Sequence, residues 1–159
     1  MLGEIEEGLT QLRTGLSNRR SRGANCYSTG IFAALARAEG MAGEPGVGLD
    51  ILEEALAFVE QTDERYCQAE LLRLQADLLQ MVGEGASAEA SYLKAIEVAQ
   101  RQEARSWELR AVTTLARLWC DKGKRNEARE LLAPIYGWFT EGVDTADLKK
   151  AKVLLDHLS

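Results

Sequence analysis

The 159-residue chain has only two prolines, one histidine and three cysteines, and each scarcity excludes something. With two prolines and 46% apolar residues, the composition is not that of a disordered chain. Cys26, Cys67 and Cys120 form no CxxC pair and are odd in number, which fits neither a disulfide framework nor a zinc site. Free thiols in a reducing compartment are the better reading. No apolar run approaches the ~18 residues of a membrane helix, and the N-terminus MLGEIEEGLTQLRTG has acids where a signal peptide has bases. A cytoplasmic protein without a membrane partner is expected. The net charge of −6 argues against nucleic acid as partner, which calls for a basic face. SNRRSR at 17–22 is a local exception, read as a solvated loop or helix end.

What the chain does have is a repeat. Written in rows of forty, Gly43, Gly83 and Gly123 share a column, and Ala36, Ala76 and Ala116 share another. Gly48, Ala88 and Ala128 form a third, which Gly8 extends backwards. Leu12, Leu52, Tyr92 and Leu132 make a large-residue column; Gly15, Ala55, Ala95 and Ile135 make the next. Arg65 and Arg105 also coincide. Between the columns, apolar residues recur at helical spacing, as in Leu71, Leu72, Leu74, Leu78 and Leu79. Each glycine of the 43/83/123 column ends a helix by supplying a left-handed residue. A second helix follows at 47–61, 86–101 and 125–140, and the small columns let the two backbones of each hairpin approach closely. On this reading DKGKR around Gly123 is the bend of a hairpin. A phosphate loop is not expected to change from basic there to acidic in MAGEPG and MVGEGAS. GEPGVG at 43–48 lacks the GK[ST] ending and is likewise a turn.

These columns resemble the tetratricopeptide repeat (TPR), in which a small residue in helix A, a turn glycine and two small residues in helix B have the same spacing. The period of forty departs from the family's usual ~34, and all the extra residues fall between the end of helix B and the next small residue of helix A, so longer helices are expected there. The resemblance implies an all-α fold, a right-handed TPR-like α-solenoid of antiparallel hairpins. Its expected parts are one domain with an orphan helix at 3–18, repeats over 24–61, 63–101 and 104–140, and a capping helix at 145–158, with Asp144 or Thr145 as its N-cap. The stretches ERYCQAELLRLQADLL (64–79), EARSWELRAVTTLARLW (103–119) and 131–158 are similar to the C-terminal repeats of bacterial multidomain regulators. Those proteins join an adenylate/guanylate cyclase or DNA-binding module to an NTPase. No Walker-type lysine loop or cyclase carboxylate pattern is present here.

A non-catalytic regulatory module is therefore expected, with neither cofactor nor metal. His157, the single histidine, sits in the last turn of the capping helix with no catalytic set around it. Pro134 should kink or shorten the final helix B, and Tyr136, Trp138 and Phe139 of PIYGWF read as an apolar seal beneath the cap. The resemblance maps a concave, partner-binding groove onto Arg37, then Glu70, Arg73, Leu74 and Asp77, then Arg110, Thr113, Thr114, Arg117 and Asp121. Four arginines on an acidic chain suit an acidic peptide or protein segment, held by forked hydrogen bonds. The plainer alternative pairs Arg73 with Asp77 and Arg117 with Asp121, each at i,i+4. The lysine–asparagine clamp of chaperone-binding relatives is absent. Two further readings stand beside groove binding. One is self-association as a homodimer through an edge at Ile5, Leu9, Leu12 and Leu16; the other is sensing of a small-molecule effector.

Overall fold

A computed structural model describes residues 2–21, 28–141 and 144–158. Among them are eight helices in series: α1 (Leu2–Ser21), α2 (Ser28–Met41), α3 (Pro45–Thr62), α4 (Gln68–Met81), α5 (Gly85–Arg101), α6 (Arg105–Asp121), α7 (Arg125–Tyr136) and α8 (Ala146–Leu158). The chain divides into two compact units, Met1–Ser91 and Tyr92–Ser159, with the boundary inside α5.

The turn glycines do what the repeat requires of them. Gly43, Gly83 and Gly123 have φ of +90°, +85° and +80°, a region costly for any residue with a side chain. At each, the glycine N–H bonds the carbonyl three residues back, and the next N–H reaches five back. Gly123 N donates to Cys120 O at 2.9 Å and Lys124 N to Trp119 O at 2.8 Å. This is the Schellman arrangement, which satisfies the last carbonyls of helix A. Helix B then starts without a break, with Pro45 in the first turn of α3, where its missing N–H costs nothing.

The small-residue columns mark where the hairpin helices meet. Ala36, Ala76, Ala116, Ala88, Ala128, Ala55 and Ala95 are all fully buried, and so are Leu52 and Leu132 from the large-residue column. At Gly48 the two backbones of the first hairpin come close: a β-carbon there would lie 2.9 Å from the carbonyl oxygen of Ala36 and 2.7 Å from Leu78 Cδ1. Around this contact the first unit packs Phe32, Leu35, Leu52, Val59, Leu71, Leu74 and Leu78. Helix α4 packs on both α2 and α3, and in the second unit α8 packs in the same way on α6 and α7. Leu148, Ala151, Leu154 and Leu158 are the buried face of α8, while Leu155 is half-buried. Arg125, at the start of α7, donates to the carbonyl of His157 and so closes the C-terminus of α8.

The links between repeats use a device absent from the sequence reading. After α3 and α5 the left-handed residue is not glycine but Asp63 (φ 59°) and Glu103 (φ 53°), again forty residues apart. Beside each link lies an arginine–carboxylate–amide set whose acid and amide have traded places. Gln68 on α4 donates to Glu60 on α3 at 3.5 Å, whereas Gln100 on α5 donates to Glu108 on α6 at 2.8 Å. The column arginines follow the acid: Arg65 lies 3.6 Å from Glu60, and Arg105 lies 3.4 Å from Glu108. Glu108 is wholly buried, so these bonds offset the cost of desolvating its carboxylate.

Two expectations are corrected at the end of the third repeat. Helix α7 stops at Tyr136 rather than 140, because Pro134 has no N–H to bond the carbonyl of Glu130 and the chain tightens into turns. Trp138 occupies the column of Phe58 and Val98, yet it is not sealed beneath the cap. It is 46% exposed, and the guanidinium of Arg105 lies over its ring, 3.9 Å from the centroid. Tyr136 and Phe139 are half-buried. At the other end of the chain, α1 runs to Ser21, so the backbone of residues 17–21 in SNRRSR is helical.

Two glycines of α3 should respond oppositely to substitution. Gly48→Val should destabilise the protein by ~1–3 kcal/mol through overpacking, visible as a lower midpoint in urea. Gly46→Ala, with nothing within 4 Å of the added carbon, should raise the midpoint through helix propensity, by about 0.5–1 kcal/mol.

Candidate functional site

Arg37, Asp77 and Arg117 occupy one register position on three successive A helices, one residue after the buried alanine of each. The alanine faces the hairpin partner, so the following side chain turns toward the flank of the helix. Arg37 and Arg117 are exposed, and neither forms an ion pair or hydrogen bond with a described residue. The i,i+4 pairing of Arg117 with Asp121 is therefore not made, and Asp121 is exposed as well.

Arg73 is bound up in the first unit. Its side chain is only 11% exposed; Nε and NH2 form a fork with Glu70 at 2.8 and 2.9 Å, and NH1 reaches Asp77 at 2.5 Å. Burial works against the charge, yet the hydrogen bonds and charges of Glu70 and Asp77 outweigh it and hold the guanidinium firmly protonated. The pairing of Arg73 with Asp77 read from the sequence is present, and Glu70 joins it. Leu74 is buried in the core of that unit.

Arg110 serves the cap. Its Nε bonds Asp147 on α8 at 2.5 Å, and its guanidinium stands 5.0 Å from the ring centroid of Trp107. Beside this pair Leu109, Phe139 and Leu148 line a shallow cleft. Thr113 and Thr114 turn their hydroxyls back onto α6, Thr113 to Leu109 O at 2.6 Å and Thr114 to Arg110 O at 3.0 Å. They are occupied with their own helix. Of the four mapped arginines, two are internally neutralised and two are available.

The proposed self-association edge is also partly spent. Leu9 is buried in the core of the first unit and Leu12 packs against it; the side chains of Ile5 and Leu16 lie outside the described residues. Arg13 adds an ion pair of 2.5 Å to buried Glu39 on α2. Two of the four edge residues thus attach α1 to α2 and are not free to meet another copy.

No group of three or more His, Cys, Asp or Glu among the described residues is placed to hold a metal ion. His157 is exposed, with Arg125 NH1 3.5 Å from its Nε2. Cys67 is buried, and burial pushes its thiol up, away from the thiolate a nucleophile needs. Cys26 lies outside the described residues. Among the described residues no helix is long and apolar enough to cross a membrane.

No model of a known family matches the chain, and no curated protein sequence matches it. Solved structures do. BtubC (BKLC) from P. vanneervenii superposes with a TM-score of 0.79 at 18% identity, over 98% of this chain and 65% of that one. A Podosopora anserina protein with kinesin-light-chain, nearly identical TPR-like repeats gives 0.71 at 19% identity, over 98% of this chain and 78% of its own. A singly substituted form of the same repeats gives 0.71 at 18%, over 98% and 77%. The class is defined by these likenesses: the chain has the TPR-like helical repeat fold. At such identities the fold is what they establish, and the chain spans less than two thirds of BtubC.

Removing the guanidinium of Arg73 leaves Glu70 buried without its fork. Arg73→Ala should therefore cost roughly 3 kcal/mol in chemical denaturation, while Arg37→Ala and Arg117→Ala should each cost less than about 0.5. With Cys26 and Cys120 replaced by serine, Cys67 should react with Ellman's reagent far more slowly than glutathione at neutral pH. Its rate should rise only at a pH above that of the free thiol.

Proposed function

We propose that the chain is a non-catalytic binding module that takes an acidic peptide, or an acidic segment of a partner protein, on the helix-A side of its repeats. Arg37 offers an anion contact in the first unit and Arg117 one in the second. The observation that carries this is the inequality of the four arginines. Arg73 and Arg110 have carboxylates of their own, whereas Arg37 and Arg117, at the same register position of α2 and α6, are exposed and pair with no described residue. An exposed guanidinium can offer both arms of its fork to an incoming carboxylate without first breaking an internal bond. Asp77, at the corresponding position of α4, shares Arg73 with Glu70.

The TPR-like fold supports a protein or peptide as the ligand, since helical repeats present extended surfaces instead of closed pockets. The likeness of 64–79, 103–119 and 131–158 to the tail repeats of bacterial cyclase–NTPase and transcriptional regulators supports a regulatory setting for that binding.

A fluorescein-labelled peptide alternating glutamate and leucine is a suitable probe. Arg37→Ala combined with Arg117→Ala should weaken its binding by about tenfold or more per arginine and flatten the salt dependence, with circular dichroism unchanged. Undiminished binding by a folded double variant would contradict the proposal.

A further inference from the structure

Two of the three hairpin turns carry an apolar, acid-edged tip that the third does without. Met41 is 62% exposed and Met81 57%, and Val47 and Val82 are exposed beside them. In the first unit Met81 lies against the last turn of α2. A β-carbon on Gly40 would come within 3.8 Å of Met81 Sδ, and Leu78 reaches against both Gly40 and Gly48, next to Met41 and Val47. The ends of α2 and α4 thus form a ledge that exposes Met41 and Met81 beside Leu78 and Gly40.

The turn itself does not ask for these side chains, and the third hairpin is the internal control. There Asp121 and Lys122 stand in the columns of Met81 and Val82, yet Gly123 adopts the same left-handed φ with the same two backbone bonds. Charge changes along with polarity. Glu44 and Glu84 follow the first two turn glycines, both exposed, and the third has Lys124. Exposed methionine and valine cost solubility without helping the turn, so their retention in two tips calls for a use. Over residues 1–91 acids far outnumber bases, which favours a basic ligand at long range.

We infer that this ledge docks a basic amphipathic helix of a partner protein, its apolar side on Met41 and Met81 and its lysines or arginines toward Glu44 and Glu84. Methionine suits the task because its unbranched, polarisable side chain repacks around differing apolar surfaces. A short amphipathic helix needs only an apolar strip with charges of the opposite sign at the rim. Arg37 and Asp77 lie one turn before Met41 and Met81 on the same helices, and the ledge selects the opposite ligand charge from Arg37.

The test uses the full chain and a labelled synthetic helix of leucines and lysines arranged on two faces, with a scrambled peptide of the same composition as control. Fluorescence anisotropy should show saturable binding of the amphipathic peptide and much weaker binding of the scrambled one. Met41→Asp with Met81→Asp installs the aspartate that the third hairpin tolerates, so the fold should survive. That variant should lose about tenfold in affinity or more, as should Glu44→Lys with Glu84→Lys. Arg37→Ala, which removes a cation one turn from Met41, should leave this binding undiminished or strengthen it, the opposite of its effect on acidic peptides. Equal binding of the scrambled peptide, or undiminished binding by the methionine variant, overturns the inference. A concentration-dependent dimer of the wild-type chain that Met81→Asp abolishes would also overturn it, by making a second copy the occupant.

Discussion

The structure depends on how closely helix A and helix B of each hairpin can approach. At Gly48 the approach is so tight that a β-carbon would press on the carbonyl of Ala36, and in the other hairpins Ala88 and Ala128 are buried at the same position. Close approach lets Leu52 and Leu132 bury completely in the adjoining space, and it requires the reversal between the helices to be short. Glycine at φ near +85° meets that requirement with three residues of connection. The charged side chains then occupy whatever this backbone spacing leaves over. Some of them lie in the junctions between repeats, where their charges are matched, and others on the open flanks, where they are not.

That order of constraints decides what was readable in the sequence. The backbone constraint accepts few residue types, so Gly43, Gly83, Gly123 and the alanine columns stood out, and helix identity followed from them. The junctions were hard to read because more than one residue type solves each problem. Asp63 and Glu103 hold a left-handed position without being glycine. Glu60 with Gln68 and Gln100 with Glu108 make the same contact with donor and acceptor exchanged, so neither column shows a constant residue. Arg65 and Arg105 did coincide, and that coincidence was the one trace of the junction in the sequence.

The candidate site was legible in position but not in state. The family resemblance mapped Arg37, Arg73, Arg110 and Arg117 onto the A helices, and Arg73 with Asp77 follows from i,i+4 geometry. The partner of Arg110 could not be seen that way, because Asp147 is thirty-seven residues away and meets it only when α8 packs on α6. Arg117 shows the converse. Its i,i+4 aspartate is in place, yet the pair does not form, in keeping with how little an exposed pair gains over two hydrated charges. Trp138 failed as core for a related reason: its column is half-buried at Phe58 and buried at Val98, but Pro134 ends α7 before the side chain can follow the pattern.

The central functional claim is that binding capacity lies in the arginines the fold leaves unneutralised. Its most direct test is to follow the guanidinium Nε–H resonances of the intact chain by NMR during titration with the acidic peptide. The signals of Arg37 and Arg117, exchanging fast with water in the free protein, should sharpen and shift on binding, while those of Arg73 and Arg110 stay where they are. Movement of the Arg73 or Arg110 signals, with Arg37 and Arg117 silent, would contradict the account.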